Sequence, residues 1–105
     1  MAKDRIGRNV VTAILLDGRK EVAATATAEA LTSTSTLASY VIITAETNNT
    51  GVMAVGGSTV VGVVATRRGI PLNAGDSISL GAVDLSKVYI DGTVNGDGVT
   101  YLYLL

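Results

Sequence analysis

An all-β fold is what this sequence predicts: an antiparallel β-sandwich, jelly-roll-like or Ig-like, with an extended N-terminal segment. Three observations lead there. The chain has 14 Val, 7 Ile and 13 Thr among 105 residues, and β-branched side chains lose rotamer freedom in helices but pack well on pleated strands. Turn residues recur about every 8 to 12 positions, the rhythm of sandwiches and barrels. Finally, a chain of this length supports one core, and a sheet with one apolar face must cover it with a second layer.

The elements follow in order. Val10–Leu16 reads as a strand and Asp17-Gly18 as a hairpin turn, which returns Lys20–Thr27 as a second strand with Val22, Ala24 and Ala26 on one face. The Ala-rich stretch from Ala23 to Ala30 would equally suit a short helix. Leu31–Ser39 is rich in Ser and Thr, poor in anchoring side chains, and reads as a linker or extended edge. Residues 1–39 therefore form an N-terminal arm or hairpin with a connector, and residues 40–105 form the sandwich body.

Within the body the strand signals are regular. Tyr40–Thr47 alternates Val41, Ile43 and Ala45 against Tyr40, Ile42 and Thr44, and Asn48-Asn49-Thr50-Gly51 supplies a turn. Val52–Val55 ends at Gly56-Gly57. Thr59–Thr66 reads as a strand in which Gly62 marks a bulge or a close backbone approach. Arg67-Arg68-Gly69 breaks the run, Ile70-Pro71-Leu72 is extended, and Asn73-Ala74-Gly75-Asp76 turns into Ser77–Leu80. Lys87–Asp91, Thr93–Val94 and Val99–Leu105 are the last strands, separated by Asp91-Gly92 and Asn95-Gly96-Asp97-Gly98. The expected core is Val41, Ile43, Val52, Val61, Val63, Leu72, Ile78, Leu80, Leu85, Val88, Ile90, Val99 and Leu102.

Composition excludes most chemistry. With no Cys and no His, the chain has no thiolate nucleophile, no imidazole proton carrier and no zinc ligands of the usual kinds. Neither an enzyme nor a cofactor protein is expected. Asp76, Asp84, Asp91 and Asp97 sit beside turns, where carboxylates cap backbone N–H groups more often than they do acid/base work. Asp91, Asn95 and Asp97 gather oxygens around glycines, but their spacing matches no EF-hand loop. Gly51–Gly57 lacks the Gly-Lys-Ser/Thr ending of a phosphate loop.

The net charge of −1 provides no field to hold nucleic acid or an anionic membrane, so neither is an expected partner. The apolar stretch Val10–Leu16 is too short for a signal peptide or a membrane span. Charge is uneven, however. Lys3, Arg5, Arg8, Arg19 and Lys20 face only Asp4, Asp17 and Glu21 in residues 1–21, a net of +2, while the remainder carries −3. A basic start and an acidic body suit docking between copies or onto a larger assembly. Candidate interface residues are Lys3, Arg5 and Arg8, the basic pair Arg67 and Arg68, and the C-terminal Tyr101 and Tyr103. The bland alternatives are a solvated tail, a solvated loop and core packing.

Residues Ile43–Glu46, Asn49–Gly57, Gly69–Ile78, Asp84–Val94 and Gly96–Val99 together resemble small β-sandwich proteins encoded among the virion genes of tailed bacteriophages. The resemblance covers about residues 40–105 and rests on turn and strand grammar. It implies a virion component, either a head decoration (cement) protein or a fibre or tail part. The first reading is a structural protein on the outer surface of the phage head, made in the host cytoplasm. It would stabilise the shell by subunit burial, with the major capsid protein and copies of itself, as a homotrimer or other symmetric oligomer, for partners. The alternative is a fibre or tail-tip module binding a host-surface glycan, for which only Tyr40, Tyr89, Tyr101 and Tyr103 offer stacking rings.

Overall fold

The computed structural model describes residues 14–105 and, before them, the backbone of two short strands, β1 (Ala2–Lys3) and β2 (Asn9–Val10), which pair antiparallel. Ten further strands follow: β3 (Leu15–Glu21), β4 (Glu29–Ala30), β5 (Leu37–Ala38), β6 (Tyr40–Ala45), β7 (Met53–Gly56), β8 (Ile70–Leu72), β9 (Ser77–Leu80), β10 (Val83–Asp84), β11 (Tyr89–Gly92) and β12 (Gly98–Leu104). The only helical turns among the described residues are short 3-10 turns at Val64–Thr66 and Leu85–Lys87. The fold is all-β.

Two four-stranded antiparallel sheets, β3-β12-β6-β9 and β4-β11-β7-β8, carry the structure, and β5 pairs with β10 in a small ribbon. Counted in chain order, the first strand of the two sheets pairs with the last (β3 with β12). The second pairs with the second last (β4 with β11), the third with the sixth (β6 with β9) and the fourth with the fifth (β7 with β8). Such nested pairing is a long hairpin rolled up on itself, the strand order of a jelly roll.

Each sheet turns one face inward. Val41, Ile43 and Ala45 of β6 and Val99 of β12 are fully buried, and Ile78 and Leu80 of β9 pack beside them. From the other sheet come Met53, Val55, Leu72 and Ile90, while Val22, Leu31, Leu85 and Val88 close the ends of the same apolar cluster. With side chains alternating along every strand, one buried residue fixes the rest of its row. Val99 faces in, so Tyr101 and Tyr103 do too; Thr100, Leu102 and Leu104 face out.

Several expectations are corrected. The chain does not turn at Asp17-Gly18, because β3 runs straight through both. Gly18 lies directly opposite Tyr101, and a Cβ there would collide with the phenol ring; the glycine makes room for an aromatic across the ladder, and that packing overrides the dipeptide's turn preference. The returning strand Lys20–Thr27 and the alternative helix are both absent. Past Glu21 the chain goes irregular, held by the Glu29 carboxylate on the Ala23 N–H (3.0 Å) and by Asn95 Oδ1 on the Thr25 N–H (2.9 Å). Ala26 adopts a positive φ of 62°.

Leu31–Ser39 is no free linker: Leu31 is buried, β5 lies within it, and Ser35 and Thr36 bind Asp84. The division at residue 40 therefore falls inside one folded unit that already includes β3 and β4. Of the expected strand Val10–Leu16, Val10 lies in β2 and Leu15 and Leu16 in β3, and residues 11–13 lie outside the described residues. Thr59–Thr66 forms a loop rather than a strand, with one bridge between Val61 and Arg68. Thr93–Val94 lies in a turn. Of the expected core, Val63 and Leu102 are exposed, the first because its loop crosses the outside of the sheet and the second because of its parity with Val99.

Candidate functional site

Turn carboxylates are occupied by the backbone. Asp76 Oδ2 accepts from the Asn73 N–H (3.0 Å), closing the turn in which Gly75 takes a φ of 87°. Asp84 accepts from the Ser35 hydroxyl (2.7 Å) and from the backbone N–H groups of Thr36 and Ser86 (both 2.9 Å). The Ser35 hydroxyl, followed by those N–H groups, holds its carboxyl well below the usual range. Asp97, buried, accepts from the N–H groups of Thr50 (3.1 Å) and Gly51 (2.8 Å).

Asp91, fully buried, accepts the Gly62 N–H through Oδ2 at 2.7 Å, whereas its Oδ1 has no partner among the described residues. This bond pins the β7–β8 loop across the outer face of β11, where a Cβ on Gly62 would stand 2.9 Å from the Asp91 carbonyl oxygen. Asn95, the third oxygen donor of that turn, spends its Oδ1 on Thr25. Asp91, Asn95 and Asp97 thus bind three separate backbone segments. Among the described residues no group of three or more Asp or Glu converges where a metal ion could sit.

Candidate interface residues fall in different places. Arg5, Arg8 and the side chain of Lys3 lie outside the described residues. Arg67 is half-buried and turns back on its own loop, its Nε donating to the Gly62 carbonyl (3.0 Å), while Arg68 is exposed. Tyr101 and Tyr103 pack side by side, ring centroids 5.9 Å apart, against the core. Burial raises the Tyr101 pKa above its ordinary value, with Tyr103 adding to the shift. The two tyrosines are inner-face residues, partly covered.

A surface that the sequence reading missed lies on the other side of these strands. On the outer face of the β3-β12-β6-β9 sheet, cross-strand register aligns Leu15 with Leu104 and Tyr40, and Asp17 with Leu102 and Ile42. Leu15 is 60% exposed, and Tyr40 and Leu102 about 40%. Ile14, Leu16, Leu37 and Leu105 are also exposed near this end of the sheet, Leu16 on its inner face opposite Tyr103. Contacts across the ends keep them together: the Leu105 N–H donates to the Ile14 carbonyl (3.0 Å) and the Ser39 N–H to the Leu104 carbonyl (2.7 Å).

Toward its other end the same face is polar. Arg19 donates to Glu46 through Nε (2.7 Å) and Nη2 (3.0 Å) and pairs with Glu21 (2.7 Å). These carboxylates, Glu46 first, push the guanidinium pKa further up. Thr44 and Ser77 share a hydroxyl hydrogen bond of 2.7 Å. Between the two ends runs an open groove of about 610 Å³ lined by Asp17, Arg19, Ile42, Thr44, Thr100 and Leu102. An exposed apolar row that ends in charges is the composition of a protein-binding patch rather than of a pocket for a small molecule. Its signal in the sequence was the alternation Tyr101-Leu102-Tyr103-Leu104, which must leave one row outside whichever row is buried.

Comparison with known protein families, with characterised proteins and with solved structures found no match to this chain.

Proposed function

We propose that this chain is a structural virion protein, a capsid decoration (cement) protein that binds the outside of a phage head and stabilises it through buried subunit contacts. The observation that carries the reading is the exposed apolar end of the outer sheet face, from Leu15 across Leu104 and Leu102 to Tyr40. Aliphatic side chains exposed in a row cost solubility unless a partner covers them, and covering them returns about 25 cal/mol per Å². The major capsid protein and further copies of the chain are the partners in this reading, in a symmetric oligomer, with the basic N-terminal segment completing the attachment.

Two further features support a structural role. Among the described residues Asp76, Asp84, Asp91 and Asp97 all accept from backbone N–H groups, the use that holds loops in place. Double-sheet jelly rolls also recur in viral capsid proteins and lectins, an analogy of fold alone. Glycan binding fits less well, since Tyr101 and Tyr103 face the core. The test is copy number and location in purified particles, by quantitative mass spectrometry and gold labelling. Hundreds of copies spread over the shell are expected. A dozen or fewer at one vertex, or absence from the particle, would overturn the proposal.

A further inference from the structure

The β3 edge of the β3-β12-β6-β9 sheet carries a second, independent feature. Among the described residues β3 pairs only with β12, so one side of a seven-residue strand is open. Hydrogen bonds at its two ends fix which backbone groups face outward. The Val22 N–H donates to the Asp97 carbonyl (2.8 Å), the Val22 carbonyl accepts from Gly96 (3.0 Å), and the Ile14 carbonyl accepts from Leu105 (3.0 Å). Even-numbered residues of the strand thus turn their backbone groups toward β12. By the pleat, Leu15, Asp17, Arg19 and Glu21 turn theirs to the open edge. Ala23 is next in that series, and its N–H is already taken by Glu29. The open edge therefore ends at Glu21.

We infer that this edge pairs antiparallel with the same edge of a second copy, about a two-fold axis at Gly18. Bonding requires outward residues to meet outward residues, which restricts the central registers. With Gly18 opposite the partner's Gly18, Asp17 meets the partner's Arg19, Leu15 meets the partner's Glu21, and each of these residues exchanges both backbone bonds. Shifting one way places Asp17 against the partner's Asp17; shifting the other way places Arg19 against the partner's Arg19 and Asp17 against the partner's Glu21. Of these three registers only the Gly18-centred one is free of like charges, and only it pairs every open group of the strand with another.

Side chains agree with this pairing. Arg19 spends Nε and Nη2 on Glu46 and Glu21, and its Nη1 is the atom left for the partner's Asp17. On the inner face Leu16 meets the aliphatic stem of the partner's Lys20, and the two glycines meet at the axis. The result joins two four-stranded sheets into one continuous sheet, an isologous use of strand addition. It also hides the unpaired edge that would otherwise invite uncontrolled association. The inference does not depend on the capsid reading, because purified protein tests it.

Sedimentation of the full chain is expected to give a dimer, and Asp17→Arg is expected to weaken that dimer about ten- to thirtyfold while circular dichroism stays unchanged. The chain contains no cysteine, so Leu16→Cys with Lys20→Cys provides a clean trap: these positions face each other only across the two-fold, and mild oxidation should give a disulfide-linked dimer. A monomer throughout would overturn the inference and assign Asp17 and Arg19 to protection of the edge. A dimer that neither responds to Asp17→Arg nor forms the cross-link would overturn it as well. Should Asp17→Arg fail to fold, the cross-link decides.

Discussion

Replacing Gly18 by Ala tests whether β3 is one strand running beneath Tyr101. A Cβ at this position falls on the phenol ring, 2.7 Å from Cε2, so the ring must swing out. Overpacking of this kind costs about 1–3 kcal/mol. The displaced ring also gives up the contact of its hydroxyl with the Leu31 carbonyl (3.4 Å), about 0.5 kcal/mol at that length. Against this, Ala is better than Gly in a strand by roughly 0.5–1 kcal/mol. The balance is a loss of about 1–2 kcal/mol, read from urea unfolding of wild type and Gly18→Ala. Gly57→Ala, with open space around its Cβ, serves as a near-neutral control. The diagnostic quantity is coupling: with Tyr101→Leu in place the ring is gone, and Gly18→Ala should lose most of its cost, a non-additivity of at least about 0.5 kcal/mol. A hairpin turn at Asp17-Gly18 would make Gly18→Ala costly whatever stands at 101. Additive effects would refute the strand.

Other consequences can be checked with the same purified protein. Gly62→Ala drives a methyl toward the Asp91 backbone and should cost about 1–3 kcal/mol, appearing first as faster hydrogen exchange across residues 57–69. Ile43→Ala should cost about 2–5 kcal/mol and Leu102→Ala less than about 0.5 kcal/mol, although sequence reading placed both in the core; equal costs in chemical denaturation would contradict the parity of β12. Asp84 has a depressed folded pKa, so its contribution to stability is complete above the unfolded value of about 3.9 and is lost as pH falls below it. Asp84→Asn should flatten that part of the acid-stability profile, and an unchanged profile would show that the Ser35, Thr36 and Ser86 contacts do not bias protonation.

How far the fold was legible can be judged residue by residue. Alternation in Tyr40–Ala45 announced its buried row correctly, since a period of two needs no tertiary information. Asn73–Asp76 likewise declared its turn through Gly and Asx chemistry. Gly18 misled because a glycine before a charged strand carries the same local signature whether it turns or makes room for an aromatic 83 positions later. Leu31–Ser39 looked like a linker or extended edge because its anchoring is by hydrogen bonds to Asp84 and by a short ladder to β10, which composition does not reveal. The apolar outer patch escaped for a related reason: Leu102 and Tyr101 exchange faces with the parity of a single residue, Val99, and only the paired strands fix it.

Whether the apolar end of the outer sheet face is the attachment surface is open to one direct measurement. Phage heads assembled without this chain can be titrated with wild type and with a Leu15→Lys, Leu102→Lys variant, whose new charges lie opposite Leu104 and Asp17 and so add no like-charge pair across the ladder, and bound copies counted by electron cryomicroscopy. Both positions are exposed, so the variant should keep its fold and unfolding midpoint. Wild type is expected to saturate the shell, and the variant to lose about 100-fold or more in affinity from placing two charges against an apolar contact. Equal decoration by both proteins would contradict it.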